Sequence, residues 1–183
     1  MFRKACLIAV VTALAVPGFG ATINADAYDL RLDIASGTDT KAYDFPPVSA
    51  SLGYFVADNV EMGALLGMRK SAWDSYWITG TVWELGVFAE RHFDVTFNFH
   101  PLLGARLSML DGEKDSDSVY QALVYAGGKV FLSQNVALVI NAGVAFATED
   151  IFNVETTGLP DLTTTQSGDS VGMIVDAGLR YFF

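Results

Sequence analysis

The sequence predicts an all-β protein: a transmembrane, antiparallel, up-and-down β-barrel of eight strands. Three observations favour this fold. Apolar residues alternate with polar or small residues along much of the chain, one short turn pattern recurs three times, and the last residues form an amphipathic strand that ends in aromatic side chains. Alternation of this kind gives each strand one apolar and one polar face.

The chain begins with a pattern typical of a secretory signal peptide. Two basic residues precede an apolar run at 5–16, and small residues follow it. An apolar run of 12 residues is too short to cross a bilayer of about 30 Å as a helix. We therefore predict a signal peptide at 1–21, cleaved after Gly20 or Ala21, and a barrel domain at 22–183.

Composition restricts the partners of the exported chain. Without the predicted signal peptide, 9 basic and 21 acidic side chains remain, a formal net charge of 9 − 21 = −12. So acidic a chain is not expected to bind nucleic acid. The single cysteine, Cys6, lies in the signal segment, so the mature chain has no disulfide and no cysteine-based metal site. Yet 51% of the residues are apolar, as expected if a barrel faces lipid.

A recurring eight-residue segment predicts three tight β-hairpins. Each copy reads Phe, apolar, two variable residues, Asn or His, apolar, any residue, apolar, and the copies begin at Phe55, Phe88 and Phe131. A three-residue hairpin loop needs a left-handed residue at its last position, which Asn and His tolerate better than most residues. The predicted left-handed residues are Asn59, His92 and Asn135.

Alternation continues on both sides of these turns and defines eight strands. The first strand is predicted near 23–35, the second near 48–56 and the last near 171–183, with the others flanking the turns. Prolines are expected where a missing N–H does least harm. Pro46 and Pro47 fall at a predicted strand entry, whereas Pro101 falls within a long predicted strand and marks a bulge or a rim.

Two other structures share part of this pattern. The segment 130–148 has 19 residues without a charge, long enough for a transmembrane helix. Its polar residues, its glycine, its β-branched residues and its copy of the turn favour strands instead. A soluble barrel or sandwich would show the same alternation with large aliphatic residues inside. The signal peptide and the aromatic terminus favour the barrel in lipid.

The final strand resembles the assembly signal of outer-membrane barrels through Asp176, Gly178, Tyr181 and Phe183. Together with the hairpin at 53–60, it makes the chain similar to the small eight-stranded outer-membrane barrels, the family of the OmpA membrane domain and OmpX. The resemblance implies a bacterial outer-membrane location, contact with lipid and lipopolysaccharide, and insertion by the barrel-assembly machinery. It also implies short periplasmic turns and longer outer loops.

The inward face of the predicted strands carries six acids and five bases. Because an eight-stranded barrel has room for side chains but not for a wide channel, these charges are expected to form ion pairs in a packed polar interior. The predicted interior charge network consists of Asp29, Arg31, Asp33, Glu61, Arg69, Glu84, Asp94, Arg106, Lys129, Asp176 and Arg180.

The longer connections predict an acidic rim. They lie near 37–44, 70–75, 111–118 and 149–169 and carry 3 bases and 12 acids, a charge of 3 − 12 = −9. We expect solvated loops that offer a surface for an external ligand. The acidic run at 111–117 lacks the ligand pattern of a calcium loop.

No catalytic residue, cofactor or metal site is predicted. There are two histidines, of which His92 is assigned to a turn and His100 to an inward strand position without a nucleophile nearby. No phosphate-binding glycine motif occurs. The sequence therefore predicts a structural or surface-interaction role rather than an enzyme. The alternative is a narrow channel for ions or small solutes.

Overall fold

The structure of the protein, a computed structural model, describes residues 26–37, 43–71, 81–95, 98–112, 118–149, 151–159 and 162–183. The predicted signal peptide lies outside these residues. The described residues include no helix that is long and apolar enough to cross a membrane.

Strands make up most of the described chain. They are β1 (Tyr28–Gly37), β2 (Tyr43–Ala57), β3 (Val60–Ser71), β4 (Thr81–His92), β5 (Phe99–Gly112), β6 (Val119–Phe131), β7 (Val136–Ala147), β8 (Phe152–Leu159), β9 (Leu162–Asp169) and β10 (Val171–Phe182). Eight of these strands, β1 to β7 and β10, close an antiparallel up-and-down barrel. The predicted fold is confirmed.

The long connection between β7 and β10 differs from the prediction. The sequence predicts a long polar connection near 149–169 and no strand within it, but the connection contains the hairpin of β8 and β9, a two-stranded sheet of its own. Its threonines and alternating residues favour strand structure. The apolar residues of this segment do not alternate regularly enough to have predicted a ninth and a tenth strand.

The barrel closes where the last strand meets the first. β10 pairs with β1 from Asp29↔Phe182 to Gly37↔Ile174. Tyr28 and Phe183 then exchange two backbone hydrogen bonds of 3.0 Å. Closure leaves no unpaired edge among the eight barrel strands, because each has a neighbour on both sides.

The alternation of the sequence becomes the two faces of the barrel. In β4 and β10 every second side chain is buried and the residues between them are exposed, except that Gly178 is only partly buried. The exposed set is mainly apolar and includes Leu32, Leu66, Leu85, Val87, Leu107, Val124 and Leu179. Outward aromatic residues lie near both ends of this belt: Tyr28, Tyr181 and Phe183 at the end with the short turns, and Trp83, Tyr120 and Phe146 at the other.

Two of the three predicted turns hold. The first lies at the predicted place and Asn59 has the expected left-handed φ of 60°, but Ala57 rather than Val56 pairs with Val60, so this loop has two residues instead of three. Leu132 N–H donates to the Val136 carbonyl at 2.8 Å, as a three-residue loop requires. Asn135 is not among the described non-glycine residues with positive φ, so that part of the prediction is wrong.

The turn predicted at 90–92 is wrong. β4 continues to His92, which pairs with Leu102, and the connection to β5 follows at 93–98. Pro101 is therefore the third residue of β5 and lies at the rim, where its carbonyl accepts the Phe93 N–H at 2.8 Å. The physical reason is that Glu90 and His92 have buried partners across the barrel, which hold β4 in the sheet beyond the sequence signal.

Pro46 and Pro47 also differ from their predicted place. β2 begins at Tyr43, so the two prolines lie inside the strand rather than at its entry. They fall where the register against β3 shifts, between Phe45↔Lys70 and Val48↔Met68. A register shift tolerates the missing N–H groups.

The interior has three layers along the barrel. An apolar cluster of Phe55, Phe131, Ala137 and Phe182 fills the end with the short turns, hereafter the short-turn end. A second apolar cluster occupies the opposite, long-loop end with Val82, Leu110, Val119 and Ile174, is joined there by Ile151 from beyond β7, and continues along the wall to Val139. Charged side chains fill the space between the two clusters.

Candidate functional site

Arg180 is the centre of the buried charge network. Projecting inward from β10, it is 1% exposed. Its Nη1 donates to Glu61 Oε2 at 2.8 Å and to Asp29 Oδ2 at 3.2 Å, and its Nη2 donates to both oxygens of Glu90 at 2.7 Å. One guanidinium thus joins β1, β3, β4 and β10. Planar, bidentate pairing with a carboxylate is the geometry that arginine supplies and lysine does not.

Arg31, two residues after Asp29 on β1, is the second centre of the buried charge network. Its Nη1 donates to Glu90 Oε1 at 3.0 Å, its Nη2 donates to Asp176 Oδ1 at 3.0 Å, and its Nε lies against Asp33. Asn141 Nδ2 donates to the same Asp176 oxygen at 2.8 Å. Glu90 therefore connects the two arginines into one continuous network.

Glu90 is the network residue that the sequence prediction missed. Besides both arginines, its Oε1 accepts a hydrogen bond of 2.8 Å from the Tyr125 hydroxyl. The signal for it was available, because the inward alternation of Glu84 and Gly86 continues without a break through Phe88 and Glu90. The apparent turn motif, based on the repeat, obscured that continuation.

Lys129 is buried on the side of the two arginines that is nearer the short-turn end. Its ammonium is fully buried and has no hydrogen-bond partner in the part of the chain that the structure describes. It lies 4.7 Å from the ring centroid of Phe182 and 5.4 Å from that of Phe55. The faces of aromatic rings attract cations, so these two rings stabilise the ammonium where carboxylates do not reach it directly.

Glycines provide the room that the polar side chains occupy. A Cβ atom at any of three glycines would overlap the polar end of an inward side chain on a neighbouring strand; the pairs are Gly53–Glu61, Gly127–Asn141 and Gly178–Asp33. At Gly63, a Cβ would lie 2.6 Å from the ring of Phe88 on β4. Absence of a side chain at these positions is therefore a packing requirement of the network.

The part of the polar layer nearer the long-loop end holds the remaining predicted charges. Arg106 Nε lies 3.6 Å from Glu84 Oε1, and Arg69 is buried in the same region. A cavity of about 10 Å³ remains in the polar layer, lined by residues that include Arg31, Asp33, Arg106 and Asp176. Such a volume holds about one water molecule.

Asp94 does not belong to the interior, and its predicted place there is wrong. Its side chain is 61% exposed and lies in the connection between β4 and β5. There it accepts a hydrogen bond of 2.7 Å from Asn59 Nδ2 and lies 3.0 Å from His100 Nδ1. The error follows from the misplaced turn, which shifted the alternation after His92 by one face.

His92 is an interior residue rather than a turn residue. Its Nε2 lies 3.0 Å from Glu61 Oε2 and 3.6 Å from Glu90 Oε2. These three residues offer ligand atoms within 4.8 Å of one another, close enough for a metal ion. The set does not fit a metal, because Arg180 already binds Glu61 Oε2 and both oxygens of Glu90.

The residues of the predicted assembly signal divide between the two faces. Asp176 and Gly178 face the interior, where Asp176 joins the network. Tyr181 and Phe183 face outward with ring centroids 6.1 Å apart, and Phe183 also stacks on Tyr28 at 5.9 Å. The terminal strand thus contributes to the charge network on one side and to the outer aromatic cluster on the other.

Comparison with known structures confirms the fold. The chain is similar to the neisserial surface protein NspA (TM-score 0.54, 18% identity, covering 85% of this chain and 95% of that chain). It is also similar to the N-terminal β-barrel domain of Pseudomonas aeruginosa OprF (0.55, 16%, 88% and 100%). A structure from the de novo design of transmembrane β-barrels gives corresponding values of 0.54, 15%, 88% and 99%.

No protein-family model and no curated protein sequence matches the chain. At the identities of the structural matches, the likeness shows the fold alone. The predicted resemblance to small eight-stranded outer-membrane barrels is confirmed at that level.

Proposed function

We propose that the protein is an integral outer-membrane β-barrel with a structural or surface-interaction role, and that it is not an enzyme. The apolar outward belt with aromatic residues near both ends supports a position in lipid, because outer-membrane barrels have such a band between aromatic girdles. Lipid and lipopolysaccharide are then its surroundings. An external ligand would meet the acidic loops, most of which lie outside the described residues.

The observation that carries the proposal is the packed interior. Apolar clusters fill both ends of the described interior, and ion pairs fill the layer between them. The cavity lined by Arg31, Asp33, Arg106 and Asp176 in this layer has a volume of about 10 Å³. A conducting path needs continuous water, whereas this arrangement stabilises the wall from within.

Single-channel recording tests this role against the alternative of a narrow channel. Protein reconstituted in planar bilayers is expected to give no current steps, because the two apolar layers exclude a water path. A channel-forming peptide added to the same bilayers serves as the positive control. Reproducible steps that grow with protein concentration would overturn the packed interior and favour a channel for ions or small solutes.

Orientation follows from the contrast between turns and loops. We expect a single cysteine at Thr164, in the β8–β9 hairpin, to react with a membrane-impermeant thiol reagent on whole cells, and a cysteine at Asp58, in the β2–β3 turn, to remain unlabelled. The mature chain has no native cysteine, so the background is low. After cell lysis both sites should react. Labelling of Asp58→Cys alone on intact cells would mean that the barrel has the opposite orientation in the membrane.

Assembly is expected to depend on the terminal aromatic residue. We propose that the barrel-assembly machinery recognises the last strand, and Phe183→Asp should then reduce the amount of protein in the outer membrane while export continues. Phe93→Asp is the matched control, since Phe93 is also exposed and aromatic at the short-turn end. The outer-membrane yields are measured by quantitative immunoblot. Equal yields of the two variants would mean that the barrel-assembly machinery does not recognise the terminal strand.

A further inference from the structure

The described interior contains one more acid than base. The inward acids are Asp29, Asp33, Glu61, Glu84, Glu90 and Asp176, and the inward bases are Arg31, Arg69, Arg106, Lys129 and Arg180. With all of them ionised and His92 neutral, the charge is 5 − 6 = −1. Between two apolar layers, an uncompensated charge is costly. One bound proton would make this set neutral.

Two carboxyl groups offer a place for that proton. Asp29 and Glu61 are both fully buried, and Asp29 Oδ1 and Glu61 Oε1 have no hydrogen-bond partner among the described residues. Both oxygens face the space beside the Cα of Gly53: a Cβ there would overlap Glu61 Oε1 and lie 3.2 Å from Asp29 Oδ1. The other oxygen of each group already binds Arg180.

We infer that Asp29 and Glu61 form a proton-binding site, in which one proton shared across Gly53 neutralises the interior. Two carboxyl groups confined to one site cannot both ionise easily, so they hold a proton between them. A proton also needs no volume of its own. The inference rests on the packed interior of the proposed function, since a hydrated channel would solvate both groups.

Charged and titratable groups from β1, β4, β6 and β10 surround the pair. Arg180 from β10 binds both carboxyl groups, and His92 from β4 lies 3.0 Å from Glu61 Oε2. Glu90 from β4, Lys129 from β6 and Arg31 from β1 interact with the pair electrostatically. β2 contributes the uncharged Gly53 and Phe55. Glu90 is unsuited to hold the proton, because both of its oxygens bind Arg180 and one also binds Arg31 and Tyr125.

His92 is the competing acceptor. Its Nε2 faces Glu61, but its Nδ1 is buried without a hydrogen-bond partner. A protonated imidazole would bury a second N–H that has no acceptor, which is costlier than leaving a lone pair unused. The charges of Lys129 and Arg180 also oppose a further positive charge on the ring, against the attraction of Glu90 and Asp29. The proton therefore belongs to the carboxyl pair.

Infrared spectroscopy of the folded protein in lipid vesicles tests the site. At neutral pH the parent should show the C=O stretch of a protonated carboxyl, shifted in D₂O. Asp29→Asn and Glu61→Gln should each abolish it, because the remaining carboxyl keeps its hydrogen bond from Arg180 and no longer shares the space beside Gly53 with a second acid. Asp111→Asn, at an exposed acid, should leave it unchanged. In a non-conducting parent, absence of the band, or its survival in either variant, overturns the inference; conduction by the parent overturns the proposed function itself.

Stability against pH gives a second readout. The folded parent holds one proton that the unfolded chain releases above about pH 5, since free Asp and Glu titrate near 4. Its folding equilibrium constant should then fall tenfold more per pH unit than that of either single variant, between about pH 5 and 7. Each variant restores charge balance and is expected to fold. Parallel pH profiles for parent and variants would overturn the shared proton.

Discussion

Replacing Arg180 with leucine is expected to lower the free energy of unfolding of the barrel by about 3–5 kcal/mol. The guanidinium is the common partner of Asp29, Glu61 and Glu90, which are all buried. Its removal leaves these acids in a layer with little water, and the charge of the described interior becomes more negative by one. Urea unfolding in lipid vesicles, followed by tryptophan fluorescence, measures the loss.

Arg91→Leu is the matched control for Arg180→Leu. Arg91 is also on a barrel strand, but its side chain is exposed on the outer face. Removing it should change stability by less than about 0.5 kcal/mol. Adding Glu61→Gln to Arg180→Leu should restore part of the loss, because one unpaired charge is removed with the base. Equal stability of Arg180→Leu and the parent would mean that water, rather than Arg180, solvates the three acids.

The two faces of the barrel were predictable because a strand alternates with a fixed period. Once Asn59 and Asn135 fixed two turns, the inward positions of Glu61, Arg69 and Lys129 followed from counting along the strands. The same counting placed Asp176 and Arg180 inward from the terminus. Local periodicity is sufficient for this part of the site because a one-residue shift would turn every apolar side chain inward.

The rest of the site depends on contacts between residues far apart in the chain. Glu90 and His92 looked like turn residues, since the local pattern of β4 matched two real turns. Glu90 is held in the sheet by Arg180, 90 residues away in sequence, and His92 by Glu61 on the neighbouring strand. The misplaced turn then put Asp94 on the wrong face. The pairing of β8 with β9 was also missed, because the two strands form a sheet apart from the barrel and their residues do not alternate regularly between apolar and polar.

A charge placed in the middle of the outward belt is expected to destabilise the barrel in lipid. Leu107 and its pairing partner Val87 are both exposed, and on β4 Val87 lies midway between Trp83 and Arg91. Leu107→Arg should lower the free energy of unfolding by about 2–4 kcal/mol, the cost of an arginine at the middle of a bilayer. Urea unfolding in vesicles measures it.

Tyr120→Arg is the control that separates lipid burial from loss of packing. Tyr120 is exposed on the same outer face, but it lies at the long-loop end of β6. Near the membrane surface the cost of an arginine falls to about 0–1 kcal/mol, so the two variants should differ by several-fold in their effect. In a water-soluble barrel both arginines would be solvated and both changes would be small. Equal, small effects would therefore place the belt in water and overturn the membrane location, whereas a cost that depends on depth requires a bilayer around Leu107.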